Sequence, residues 1–147
     1  MRPTPPGWPR IAPALYYANA KAMIPWLCQA FGFNVRLLVE DAGRVKHAEL
    51  AFADSLIMVA DEKSDQPHHR APTSVGGANT QNLMLFVDDV DAHCAHARAS
   101  GAVIVSEPVT HDYGEAFWTD RSYECRDPGG HHWWFTQRLR SAAPKPG

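Results

Sequence analysis

Asp120-Arg121-Ser122-Tyr123-Glu124-Cys125-Arg126-Asp127-Pro128-Gly129-Gly130-His131-His132-Trp133-Trp134-Phe135 reads as a polar strand, a turn and an aromatic strand. Pro128 presets the φ of a turn's second position, and Gly129 and Gly130 supply positive φ without a Cβ clash. Beyond the turn, side chains alternate between two faces. His132 and Trp134 point one way; His131, Trp133 and Phe135 point the other. A strand this rich in rings has two faces to cover, and their surroundings decide what the chain does.

Working backward from that strand, Ala116–Arg126 and Val103–Val109 also read as strands. Val90–Ser100 reads as a helix, capped by Asp88 or Asp89 and ended by Gly101. Gln81–Asp88 is a strand before it. The order is β-α-β-β-β, and the first half of the chain has the same order. Arg10–Ala18 is a strand, and Asn19 caps a helix over Ala20–Phe31 whose apolar stripe is Met23, Ile24, Leu27, Ala30 and Phe31. Gly32 is its natural terminator. Pro25 removes a bond to the Lys21 carbonyl, which predicts a kink or a late helix start. Strands follow over Phe33–Glu40, Val45–Ala53 and Leu56–Ala60, with a turn at Asp41–Arg44. In the middle strand Ala48, Leu50 and Phe52 alternate against His47 and Glu49, which places the latter two on the side away from the helix.

These boundaries predict a proline-rich, loosely held arm over 1–9 and one domain over 10–137. Within that domain, module 1 spans about 10–62, a polar linker with a solvated His68-His69-Arg70 spans 63–80, and module 2 spans about 81–137. A tail occupies 138–147. The fold class is α+β: two βαβββ modules whose curved mixed sheets are each covered by a helix on one face. Neither module is large enough to bury its sheet alone, so the open faces are expected to share a surface and enclose a cleft.

Composition narrows the function classes. The chain has 147 residues, 45% of them hydrophobic, and a formal net charge of −2. That balance gives no pull toward nucleic acid or an anionic membrane. Cys28, Cys94 and Cys125 have no paired spacing and read as buried thiols in a reducing compartment. No apolar h-region or membrane-length apolar run is present, so a cytoplasmic location is expected. There is no Gly-x-Ser-x-Gly, phosphate loop or Cys-x-x-Cys motif.

Pro13-Ala14-Leu15-Tyr16-Tyr17, Trp26-Leu27-Cys28-Gln29-Ala30-Phe31-Gly32-Phe33, His47-Ala48-Glu49-Leu50, Leu85-Phe86-Val87-Asp88-Asp89-Val90-Asp91 and Arg121-Ser122-Tyr123 through Arg126-Asp127-Pro128-Gly129-Gly130-His131 follow one another in a recognisable order. The sequence resembles the vicinal oxygen chelate superfamily, and within it the small glyoxalase-like and bleomycin-resistance-like members. The resemblance implies paired βαβββ modules, assembly as a homodimer, and a cleft for a small molecule. In metal-dependent members it also implies His, Gln or Glu ligands from the first and last strands of both modules. Counting from the flanking motifs puts those positions near Ala12, Met58, Asn82 and Trp134. None is a competent ligand for a hard or borderline divalent ion. Neither a metal nor any other cofactor is therefore expected, and the metal-borne chemistry of the superfamily does not transfer.

With Met58, Asn82 and Trp134 facing the cleft, strand parity adds Tyr16, Met84, Phe86 and His132, with His47 and Glu49 from the third strand. Tyr113, Trp118 and Arg121 are expected at its mouth, where Arg121 would hold an anionic group or pair with Asp120, Glu124 or a partner subunit. Such a set suits an aromatic or amphipathic ligand; the same aromatics would also serve as sheet core. Three readings follow: a non-metal small-molecule binding protein, a superfamily enzyme using a displaced metal or a His47/Glu49 acid–base site, and a dimeric interaction protein. His93, one turn after Asp89, reads as a surface residue, and Cys125 beside Arg126 as an inert buried thiol.

Overall fold

The computed structural model describes residues 1–147. The chain divides into two compact units, Met1–Ala78 and Asn79–Gly147. The first contains β1 (Ala14–Tyr17), α1 (Ala20–Phe31), β2 (Asn34–Asp41), β3 (Arg44–Phe52) and β4 (Ser55–Asp61). The second contains β5 (Leu83–Phe86), α2 (Val90–Ala99), β6 (Val103–Asp112), β7 (Thr119–Arg126) and β8 (His132–Arg140). Each unit is a four-stranded mixed sheet, ordered β1-β4-β3-β2 and β5-β8-β7-β6. The first and last strands pair in parallel and the rest are antiparallel. This is the βαβββ repeat expected from the sequence.

In the first unit α1 buries Met23, Ile24, Leu27, Ala30 and Phe31. Facing them on the sheet are Leu15, Tyr17, Ala48, Leu50, Ile57 and Val59, all buried. Asn19 caps the helix by accepting from the Ala22 amide at 3.1 Å, and Gly32 ends it in the left-handed region at φ 93°. The helix starts at Ala20 despite Pro25, so the expected late start does not occur. Pro25 and Lys21 share the exposed side, where water can take the carbonyl that Pro25 leaves without a donor.

The two units repeat one further detail. The Ala20 amide donates to Asp61 Oδ1 at 2.9 Å, and the Val90 amide donates to Gln137 Oε1 at 3.0 Å. In each unit a side chain from the last strand therefore satisfies the first helical amide, one of the donors an α-helix leaves open. Asp61 also accepts from the Val45 amide at 2.7 Å, so this buried carboxylate ties β3, β4 and α1 together.

The core of the second unit is Trp133, Phe135, Tyr123 and Cys125 against Val90, Cys94 and Ala97 of α2. The Asp-Pro-Gly-Gly turn has a Gly130 N–H to Asp127 O bond at 3.0 Å and an Asp127 N–H to His131 O bond at 2.9 Å. Only Gly130 takes a positive φ, 94°; Gly129 does not, contrary to the sequence reading. A three-residue loop of this kind needs the left-handed residue only at its last position.

Four other expectations change. The arm is not loose: the Arg36 guanidinium stands 4.7 Å over the Trp8 ring and donates to the Gly7 carbonyl. The linker is not all solvated: His69 stacks on Tyr16 with ring centroids 4.4 Å apart. The tail starts later, because β8 runs to Arg140. His93 is not simply a surface residue: its Nδ1 lies 2.7 Å from the Tyr123 hydroxyl and its ring 4.2 Å from that of Phe135.

Candidate functional site

Each sheet has one face against its helix and one face turned away. In the first unit the register sets Ala14 opposite Met58, Tyr16 opposite Ala60 and Glu49 opposite Met58. Because Ala48 and Leu50 are fully buried on the helix side, His47 and Glu49 belong to the open face, as alternation predicted. Tyr16, Lys46, His47, Met58, Ala60 and Lys63 border a hollow of ≈ 220 Å³ there.

Two register irregularities shape this face. The β2–β3 pairing slips between Val35 and Leu37, and again between Val39 and Glu40. The first leaves Arg36 as an extra residue in β2; the second leaves Lys46 as an extra residue in β3. A bulge re-aims the side chain at the extra position. Arg36 reaches Glu49, with Nε and Nη2 at 2.9 and 2.7 Å from Oε1. Glu49 Oε2 meets His47 Nε2 at 2.8 Å. Contact with His47, and then with Arg36, holds the Glu49 carboxyl below the usual glutamate range. Arg36 continues the chain to Gly7 and Trp8, so the run His47–Glu49–Arg36–Trp8 joins the open face to the N-terminal arm.

In the second unit Met84 pairs with Trp134, Phe86 with Thr136, and Asp120 with Arg138. Trp133 and Phe135 are buried on the helix side, so Trp134 and Arg138 lie on the open face. Met84 and Phe86 are 44% and 51% exposed, which excludes them from the core. The Arg138 guanidinium lies 5.3 Å from the Phe86 ring and 5.1 Å from the Trp118 ring, and its Nε donates to Asp120 Oδ1 at 2.5 Å. Tyr113 adjoins Trp118 with centroids 6.0 Å apart. The result is an exposed aromatic wall threaded by one arginine.

Tyr16, His47, Glu49 and Met58 come together in the first unit, and Phe86, Tyr113 and Trp118 in the second around Arg138. Trp134 shares the latter face, as does His132 by parity. Asn82 is exposed just before β5. Arg121 is the correction. It has the parity of buried Tyr123 and Cys125, and its Nε and Nη2 each lie 2.9 Å from the Asp91 carboxylate on α2. It therefore braces the helix rather than the open face. Asp120, one of the partners the sequence suggests for Arg121, holds Arg138 instead. Arg36, Lys46 and Arg138 were missed. The first two depend on bulges, and Arg138 falls in the stretch that reads as tail by sequence.

The donor positions counted from the sequence do not fit a metal. Met58 and Trp134 stand on the open faces, Ala12 precedes β1 and Asn82 precedes β5. A thioether, an indole, a methyl and a single amide make no site for a hard or borderline divalent ion. Nowhere in the structure do three His, Cys, Asp or Glu side chains gather as a ligand set.

A model of the glyoxalase/bleomycin resistance protein/dioxygenase superfamily matches residues 10–135. The chain belongs to this superfamily. Among its relatives is the uncharacterized protein Rv0887c of Mycobacterium tuberculosis, 29% identical over 135 residues, which cover 90% of this chain and 76% of that protein. Among solved structures, TioX from Micromonospora sp. ML1 is similar with a TM-score of 0.69 and 29% identity, covering 89% of this chain and 99% of TioX. TnmS3 from Streptomyces sp. CB03234, described as an antibiotic binding protein, has a TM-score of 0.63 and 19% identity over 85% of this chain and 91% of its own. At that identity the likeness to TnmS3 shows the superfamily fold.

Proposed function

We propose that this superfamily member binds an aromatic or amphipathic small molecule, without the metal that other members use. One observation carries the reading. Met84, Phe86, Trp118 and Trp134 are between 37% and 51% exposed in the second unit. Rings and a thioether held open on a rigid sheet give contact area at low entropic cost. The antibiotic-binding description of TnmS3 is in keeping with such a ligand. An acid–base enzyme is less well supported. Glu49 is kept ionised by two partners, which makes it a weak base at neutral pH.

Methionine methyl-labelled protein titrated with acridine tests the proposal. The Met84 signal should move and saturate, and Trp134→Ala should weaken binding at least fivefold. A Met84 signal unmoved to the solubility limit would sink it.

A second reading concerns assembly. Val35, Leu37, Leu38 and Val39 are all 42–47% exposed on β2, and the whole strand is exposed along its length. An apolar edge strand invites a partner. It supports a homodimer through β2. Sedimentation equilibrium should show twice the chain mass, reverting to monomer in Leu37→Lys/Val39→Lys. A wild-type monomer at high micromolar concentration would overturn it.

A further inference from the structure

Positively charged side chains gather at the hollow of the first unit. Lys46 and Lys63 border it, and neither forms an ion pair in the structure. Three of the nearby carboxylates are committed elsewhere. Glu49 is shared by Arg36 and His47; Asp61 holds the Ala20 and Val45 amides. Glu62 takes the Ala71 amide at 2.6 Å and the Ser74 hydroxyl at 2.8 Å, with Arg70 3.8 Å away. Asp65 borders the adjoining hollow, which Lys46 and Lys63 also line, and it pairs with neither. Two lysines thus line the same hollow as the apolar and aromatic side chains of Met58, Ala60 and Tyr16, the last stacked on the His69 ring.

From this juxtaposition we infer that the open face of the first unit is a binding site for a small planar carboxylate, built from other residues than the aromatic wall of the second unit. The ring lies on Met58 and Tyr16, and the carboxylate meets Lys46 and Lys63. The bulge at Lys46 is what makes the pairing of charge and floor: without it, strand alternation would send Lys46 to the helix side with Ala48. At ≈ 220 Å³ the hollow is smaller than the roughly 300–1,000 Å³ clefts that enclose drug-sized ligands, which suits one or two fused rings. Each exposed lysine contributes through a screened interaction, so the preference for the acid is moderate and falls with salt.

The methionines supply the test, because the chain has four and three of them report on different places. Met58 lines the hollow, Met84 lies on the wall of the second unit and Met23 is in the core. Methyl-labelled protein is titrated with 2-naphthoate and with its neutral isostere 2-naphthamide. Naphthoate should move Met58 saturably, leave Met23 fixed, and bind about fivefold or more tightly than the amide at low salt. Lys46→Gln and Lys63→Gln should each remove most of that preference while the melting temperature stays unchanged. Equal affinities for acid and amide overturn the inference, as does a Met58 signal that neither compound moves. A shift at Met84 alone would also overturn it while leaving the aromatic wall intact. Conversely, a shift at Met58 with Met84 silent to every aromatic would support this site and count against the wall.

Discussion

Trp133 Nε1 donates a hydrogen bond to Asp127 Oδ2 at 2.9 Å, with both residues buried. Asp127 Oδ1 accepts the His131 amide at 3.0 Å. One carboxylate thus closes the turn and fixes the indole that follows it. With Trp133 committed to the helix side, alternation leaves Trp134 on the open face. The turn therefore acts on the open face indirectly, through the facing of the strand it starts.

Asp127→Ala should cost about 2–3 kcal/mol, because it removes a charged acceptor and leaves a buried indole N–H unpaired. Asp127→Asn keeps one acceptor and should recover part of the loss. Urea unfolding followed by circular dichroism would measure both. An Asp127→Ala midpoint equal to that of wild type would show that the clamp is not what secures the turn.

The two helix-start contacts should differ in strength. Asp61 is a buried carboxylate holding two amides, whereas Gln137 is a neutral amide holding one. Asp61→Ala is expected to cost about 2–3 kcal/mol and Gln137→Ala about 1 kcal/mol, in line with charged and neutral acceptors. The same urea experiment orders them, and the reverse order would contradict the ranking of a charged acceptor above a neutral one.

Docking of the N-terminal arm should depend on Glu49 ionisation. The carboxyl titrates below its ordinary value, so the folded state gains from its charge above the unfolded value of about 4.3. That gain is lost as pH falls through the lower folded value. Carboxyl carbon NMR should therefore place the Glu49 midpoint below about 4.3, with the Gly7 and Trp8 resonances shifting in step. His47→Ala and Arg36→Gln should each raise the midpoint. A wild-type midpoint at or above the ordinary value would refute the link.

Cys125 should be chemically silent in the folded protein. Burial is the main cause that pushes its thiol up to about 12, against an ordinary value near 8.5. The thiolate fraction at pH 8.5 drops by about three orders of magnitude, and access is closed as well. Mass spectrometry after iodoacetamide treatment should find the half-buried Cys28 modified before Cys125. Urea should release Cys125; rapid native labelling there would show that the core opens.

Much of the architecture was legible because it rests on short-range chemistry. Asn19 and Asp89 cap helices through amides three residues away. The alternation that separates Trp133 from Trp134 and Ala48 from Glu49 follows from strand geometry itself. A repeated pattern of such signals gave the βαβββ order, and the order gave the sheets.

What the sequence by itself determined, then, was the order of the elements and, for most regular strand residues, the face on which each stands. Tertiary structure alone decided where alternation fails and which charges meet. The bulges at Arg36 and Lys46 exist only through the register of β2 against β3. Arg121 went to Asp91 on α2, and Arg138 to Asp120, Phe86 and Trp118, because long cationic side chains choose partners brought close by folding rather than by sequence. Local rules fix a residue's direction along its own strand; the charge it finds there belongs to another strand, and only pairing of the strands brings it within reach.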